Sequence, residues 1–465
     1  MTGELFPTSS AMTVEPLHSI HININMAKHA INFLRGWPSP SLLPAHLLAG
    51  AAQRLLTNPT VFVPALQYGP DEGYRPLRDG LAAWLGRHYS VDPDPERICI
   101  TGGASQNVAN VLQSYTDPVF TRAVWLVAPV FHLACPIFED SGFRGRLHAA
   151  PEDEDGIDVE VLEAKLKAFE ELESKKGNRG EPYKNPGPLR KLYRHVIYAV
   201  PSCGNPSGKT MSLKRREGLV RLARKYDALI IADDVYDFLQ WRIPSEPGAL
   251  GIPEGGFGNV VSNGSFSKIA GPGVRTGWAE GTRAFAFGLA QTASSKSGGA
   301  PSQLCAAMLS DLVHSGELQT HIDQVIRPSL QRRHKLMLDT LRQHLVPLGA
   351  EVRHGSLLGA DIYGGYFVWI AHNLGVSSDV ISKAAQEEEN MIIGGGNMFA
   401  VKGDDSVRFD NEIRLTFAWL EEQDIVDGVE RLAALFQRIK ANPEQYKATV
   451  GKTAQDQGRL VDSFK

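Results

Sequence analysis

Cysteine is scarce in this chain: Cys99, Cys135, Cys203 and Cys305 are the only four among 465 residues, and no two form a CxxC pair. That spacing argues against a disulfide framework and a zinc site, and reduced thiols are the expectation. The histidines form no HExxH pattern, so no metal is expected. No apolar run approaches the roughly 20 residues that cross a bilayer. The N-terminus also lacks the charged start and apolar stretch of a secretory signal, so a cytoplasmic chain without a membrane partner is expected. An excess of one charge is missing too: 48 Lys and Arg stand against 52 Asp and Glu, a net charge of −4 that offers no field for nucleic acid. The basic run Lys214-Arg215-Arg216 is followed at once by Glu217 and reads as solvated helix surface. No internal repeat is visible.

What is present is an ordinary globular composition, 43% hydrophobic and 22% charged, long enough for more than one core. From about 61 to 320, short apolar runs alternate with longer amphipathic stretches. The runs are Arg97–Thr101, Ala123–Val127, His195–Val200, Ala228–Ala232 and Asn259–Ser262. Continuous apolar strands between helices predict a mostly parallel sheet covered on both faces, a three-layer α/β domain. Residues 168–192 turn to Glu, Lys, Gly and Pro and are expected to form a surface insertion. From 321 to 440 a long amphipathic helix precedes the strands Gly365–Ile370 and Asn411–Phe417, which predicts a smaller α+β domain. Residues 1–60 read as an N-terminal arm plus a part of that small domain, and 441–465 as a polar tail.

Chemistry concentrates between Gly264 and Trp278, where Ser265, Ser267, Lys268 and Arg275 lie in a glycine-rich stretch. A lysine forms a Schiff base with a carbonyl only when part of its amine is neutral. The two hydroxyls and the arginine suit a phosphate, and the kit as a whole describes pyridoxal 5'-phosphate. Further segments also follow predicted strands. Gly102-Gly103-Ala104-Ser105-Gln106 runs into a helix expected to begin near Asn107, offering free N–H groups to an anion. Asp233-Asp234-Val235-Tyr236 places charge at the C-terminal edge of the sheet, where ligands bind in such folds. Pro201–Gly208 contains the turn Asn205-Pro206, and Phe131 follows Ala123–Val127. Arg414 sits in an apolar strand, where an unpaired guanidinium is costly.

In this order and spacing the segments resemble the fold-type I pyridoxal-phosphate enzymes, class I/II aminotransferases, and most closely the aminoadipate, kynurenine and aromatic subgroup, over about Ile31 to Leu435. The resemblance implies an aspartate-aminotransferase-like fold and amino transfer between an L-amino acid and a 2-oxo acid by a ping-pong mechanism. It assigns catalysis to Lys268, Asp233 and Tyr236, with Asp233 on the pyridine nitrogen and Tyr236 on the ring hydroxyl. Cofactor contacts fall to Gly103, Ala104, Ser105, Gln106, Phe131, Asn205, Ser265, Ser267 and Arg275. Substrate contacts fall to Arg414, Gly36 and Asn205, with Arg35 and Trp37 as weaker specificity candidates. Tyr68 is expected to reach the site of a second subunit in a homodimer. Where the family carries bulkier residues this chain has Cys203 and Gly204, which could enlarge the pocket or be refilled by a neighbour. The family's proline before the glycines near Gly394–Phe399 is missing. A β-lyase or decarboxylase outcome stays open. A cofactor-binding regulator would need a helix-turn-helix domain, and residues 1–30 are too short and unpatterned for one.

Overall fold

The computed structural model describes residues 28–177, 180–241, 256–353 and 363–447; the expected arm up to residue 27 and the tail from 448 lie outside the described residues. The apolar runs become neighbouring strands of an eight-stranded sheet. Its order in space is Ile98–Thr101, Gly277–Glu280, Val260–Ser265, Ala228–Ala232, His195–Ala199, Ala123–Ala128, Leu147–Asp153 and Gly156–Ile157. The strands from Val260–Ser265 through Leu147–Asp153 pair in parallel, whereas Gly277–Glu280 is antiparallel to both its neighbours.

Both faces of the sheet are dry, which is why its strands read as unbroken apolar runs. Along the strands alternate residues point to opposite sides. Val124, Leu126, Val196, Tyr198, Leu229 and Ile231 pack with the helices Ala104–Tyr115 and Arg283–Ala290. Ala123, Trp125, Ile197, Ala228 and Ile230 pack with Val159–Lys175 and Leu213–Lys225. The result is a three-layer α/β arrangement.

Four antiparallel strands, Glu351–Arg353, Phe367–Ala371, Glu412–Thr416 and Gly394–Gly395, form a second sheet. Its core is shared with the helices Arg327–His344, Ser378–Glu389 and Glu422–Ala441. The short strand Ile31–Asn32 pairs in parallel with Met391–Ile392 and ties the entering chain to this unit.

Three local expectations are corrected. The helix after Thr101 starts at Ala104 rather than near Asn107. Asn107 is fully buried, and its amide donates to Asn263 Oδ1 at 2.8 Å rather than opening the helix. The stretch expected as an insertion from 168 is helical through Lys175, because Leu162 and Leu166 anchor its buried face. Arg216 is not solvated surface: it is buried, and donates to the carbonyls of Met211 and Pro201 and to Ser202 Oγ at 3.0 to 3.1 Å. Its guanidinium thereby braces the turn that leads to Asn205.

Candidate active site

Every strand of the parallel set ends on the same edge, so residues one to six positions past a strand end converge there. A cavity of about 310 Å³ opens on that edge, lined among others by Ala104, Ser105, Phe131, Asn205, Asp233, Tyr236, Ser265, Ser267, Lys268, Arg275 and Arg414. The entering segment Leu34–Trp37 and Phe367 of the smaller sheet close its other side.

Lys268 follows the strand Val260–Ser265 in a single tight turn, capped by Ser265 Oγ accepting from Ser267 N at 3.1 Å. Its Nζ donates to the Gly36 carbonyl at 2.7 Å and lies 5.1 Å from the Tyr366 ring centroid. Burial pulls the ammonium from 10.5 down to about 8, against the opposing pull of Asp233. A measurable fraction of the amine is then neutral near physiological pH, which a nucleophile or base requires.

Asp233 is held at the end of Ala228–Ala232 by its N–H donating to the Ala199 carbonyl at 2.8 Å. Tyr198 Oη donates to its Oδ2 at 2.5 Å, and Asn263 Nδ2 to Oδ1 at 3.3 Å. Asn263 is itself oriented by Asn107. Burial still dominates and pushes the Asp233 carboxyl up to about 6. The site therefore holds a carboxylate that favours any cation placed against it. Tyr236 is buried beside Lys268, with Nζ 5.9 Å from its ring centroid, and burial raises its phenol. Asp234 faces away: its Oδ2 accepts from Ser262 Oγ at 2.5 Å.

A cup for an anion lies beside Lys268. The first helical hydrogen bond of Ala104–Tyr115 is Asn107 N to the Gly103 carbonyl, so the N–H groups before it have no helical acceptor. Gly103 has φ +101°, and a Cβ there would stand 2.7 Å from Arg275 Nη2; only glycine lets backbone and guanidinium approach this closely. Arg275 Nη1 donates to Ser267 Oγ at 3.4 Å, and Nη2 to the Gly102 carbonyl at 3.0 Å. These donors fit a phosphate. Gln106 lies back over Gly102, where its Oε1 would meet an added Cβ at 1.6 Å, and it is absent from the cavity wall together with Gly103.

Arg414 is buried in the smaller sheet with no carboxylate opposite it among the described residues. Nη1 donates to Asn205 Oδ1 at 2.8 Å, Nη2 donates to the Leu34 carbonyl, and Nε is buried without a hydrogen-bond partner. The rings of Phe367 and Phe399 stand 4.0 and 4.7 Å from its guanidinium carbon. Burial draws its guanidinium below the usual value, to about 9. An incoming carboxylate relieves that cost.

Sequence reasoning missed Tyr198, Asn263 and Asn107. Tyr198 reads as one more apolar strand residue, and no local pattern announces a contact across strands. Cys203 does not enlarge the pocket: it is buried against Thr210 and Gly364, with its N–H donating to Thr210 Oγ1 at 3.0 Å, and the cavity wall includes neither it nor Gly204. Near the missing proline, Gly394–Gly395 pairs with Arg414 and Ile413, and Phe399 backs the guanidinium. Tyr68 stands apart, 87% exposed, on a separate cavity with Lys296, Gly298 and Gln303.

Fold and site thus define an α/β protein able to bind an aldehyde that bears a phosphate. Residues 32–432 match the family described as aminotransferase class I and II, and the chain belongs to that family, whose enzymes depend on pyridoxal phosphate. It is 32% identical to an uncharacterised protein of Saccharomyces cerevisiae, over 87% of this chain and 96% of that one. It is 29% identical to a 2-aminoadipate transaminase of Thermus thermophilus, over 88% and 91% of the two chains. Pyrococcus horikoshii kynurenine aminotransferase, solved with PMP, superposes with a TM-score of 0.72 at 27% identity, covering 88% of this chain and 91% of that one.

Proposed function

We propose that the chain moves an amino group between an L-amino acid and a 2-oxo acid in two half-reactions at this one cavity. The reading is carried by a single observation: Lys268, Asp233, Arg414 and the anion cup of Ser265, Ser267 and Arg275 open on the same 310 Å³ space. In this reading the cup, with the N–H groups of Gly103, Ala104, Ser105 and Gln106, holds the cofactor phosphate. Asp233 would pair with the ring nitrogen, Asn205 and Tyr236 would hold the ring oxygen, and Phe131 would stack on the ring. Bound there, pyridoxal phosphate supplies a carbonyl for amine exchange and a ring that draws electrons from the substrate α-carbon.

The protein's own part is positioning and proton transfer. Arg414 takes the α-carboxylate with its planar fork, and Gly36 lets the entering chain pass close beside it. Lys268 Nζ, poised near pH 8, accepts the α-proton when neutral and returns it as the conjugate acid. The dry wall of Phe131, Val200, Val235 and Phe367 keeps water from competing for these groups. On this view residues 61–320 hold the cofactor and 321–440 supply the carboxylate grip. Exposed Tyr68 serves the site of a second copy, so the working unit is a homodimer. We also place the chain in the cytoplasm; no helix among the described residues is long and apolar enough to cross a membrane.

The test is a panel of amino donors against several 2-oxo acids, following both the cofactor's absorbance and the new amino acid. Amino transfer with at least one pair is expected. Release of carbon dioxide or of a side-chain fragment with every donor would establish a decarboxylase or lyase instead.

A further inference from the structure

Asp233 follows the strand Ala228–Ala232, and each strand flanking that one sends a polar side chain to it. Tyr198, on His195–Ala199, donates from Oη to Asp233 Oδ2 at 2.5 Å. Asn263, on Val260–Ser265, donates from Nδ2 to Asp233 Oδ1 at 3.3 Å. All three side chains are buried, so each carboxylate oxygen meets one donor inside the fold. Neither donor is adrift. The Tyr198 ring stands edge-on to Phe138, with centroids 5.6 Å apart. Asn263 Oδ1 accepts from Asn107 Nδ2 at 2.8 Å, and Asn263 Nδ2 also donates to the Ala104 carbonyl at 3.2 Å. Asn107 and Ala104 lie in the helix whose start forms the anion cup, so one network joins that cup to Asp233 and Tyr198.

Both donors favour one protonation state. A hydrogen bond donated to a carboxyl group strengthens with the charge on the acceptor, so Tyr198 and Asn263 stabilise the ionised form. Lys268 pulls in the same direction, while burial opposes all three. Asp234 and Tyr236 are the other titratable side chains that feel Asp233, and either one, once ionised, would oppose its charge. The balance leaves the carboxyl at about 6, near the range in which a pyridine nitrogen takes up a proton. The proposed function, on which this inference rests, pairs Asp233 with the ring nitrogen of the cofactor. With acid and base so closely matched, a shared proton goes to whichever side the surroundings favour.

We propose that Tyr198 and Asn263 are positioning residues for amino transfer: by donating to the two oxygens of Asp233 they keep its carboxylate ionised, so that the proton between it and the ring nitrogen stays on the ring. A ring that keeps this proton draws electrons from the substrate α-carbon, and a neutral one does so weakly. Loading the enzyme with pyridoxal phosphate isotopically labelled at the ring nitrogen makes the proton visible, because the nitrogen NMR shift moves on protonation. Wild type gives the shift of a protonated ring. Tyr198→Phe keeps the ring against Phe138 and loses one donor. The proton partition then moves toward Asp233 by roughly 10- to 150-fold, the range for a hydrogen bond to a charged group, and the nitrogen shift moves toward that of a neutral pyridine. Asn263→Ser, whose hydroxyl is too short to reach Asp233, moves it the same way by less, in keeping with the longer 3.3 Å bond; it gives the reading should Tyr198→Phe not fold. In both variants kcat falls while KM for the amino donor stays within about threefold, and the α-deuterium isotope effect on kcat rises as proton removal slows.

A nitrogen shift unchanged from wild type in either variant overturns the role of the residue replaced, even where activity falls, since a side chain that only supports packing slows the enzyme without moving the proton. A neutral ring nitrogen in wild type overturns the role of both. These outcomes are distinct from failure of the parent reading. If wild type transfers no amino group from any donor, the proposed function falls; if it transfers one and holds a protonated ring that the variants leave untouched, only the role of Tyr198 and Asn263 falls.

Discussion

Asp233→Asn is expected to stabilise the cofactor-free protein while abolishing turnover. Burial lifts the Asp233 carboxyl from 3.8 to about 6, with Tyr198 and Lys268 pulling the other way. Between those two values the folded chain retains a proton that the unfolded chain has released, so stability falls as pH rises through the window, and the full loss is present above it. A shift of that size corresponds to about 3 kcal/mol at pH 7.5, falling to about half of that at pH 5. An asparagine cannot ionise and removes the term. Its amide, however, meets two donors, Tyr198 Oη and Asn263 Nδ2, which costs about 1 kcal/mol. The net gain is about 2 kcal/mol at pH 7.5 and under about 1 kcal/mol at pH 5, read as the difference in urea unfolding between variant and wild type, followed by two probes. Loaded with cofactor, the variant loses the carboxylate that favours a protonated ring, and single-turnover rates collapse. A variant no more stable than wild type at pH 7.5, or one whose gain is the same at both pH values, would refute the electrostatic reasoning. Near-wild-type turnover would show that Asp233 does not face the ring nitrogen.

Borohydride treatment of the yellow enzyme should fix the cofactor on the peptide carrying Lys268, and Lys268→Ala should abolish the adduct; mass spectrometry that finds it on Lys296 overturns the assignment. Arg414→Lys keeps a charge but loses the planar fork, so apparent affinity for amino acids should drop by roughly 10- to 150-fold while amines lacking a carboxylate are little affected. Unchanged affinity for every amino acid would make Arg414 a structural residue. Mixing Lys268→Ala chains with Tyr68→Phe chains should yield hybrids more active than either parent, since a site shared between copies leaves one pocket with neither defect. Strictly additive activity, or a fully active monomer on a sizing column, would place Tyr68 in its own subunit's packing.

Much of the fold was legible because the parallel strands are buried on both faces. Their apolar runs stand out against the helices, and the runs at Ala123, His195 and Ala228 begin at the residues where the strands begin. Gly277–Glu280 escaped notice because it is short and glycine-led, and it begins inside the stretch Gly264–Trp278 that stands out for its chemistry. Its antiparallel pairing joins Ile98–Thr101 to Val260–Ser265, and that pairing sets the anion cup of Gly103 against Arg275. Arg216 was misread for the same reason that charge runs usually mislead: its neighbours are solvated, whereas one helical position inward three oxygen acceptors close around the guanidinium.

The candidate site divides along a physical line. Residues whose role depends on following a strand end, such as Asp233, Lys268 and Asn205, announce themselves locally, because a charge or a turn after an apolar run is visible in one dimension. Residues that adjust those groups do not. Tyr198 and Asn263 reach Asp233 from the two strands that flank its own, and Gly36 reaches Lys268 from a segment 232 residues away. Their identities, a tyrosine, an asparagine and a backbone carbonyl, are unremarkable in sequence and become chemical only when the sheet assembles.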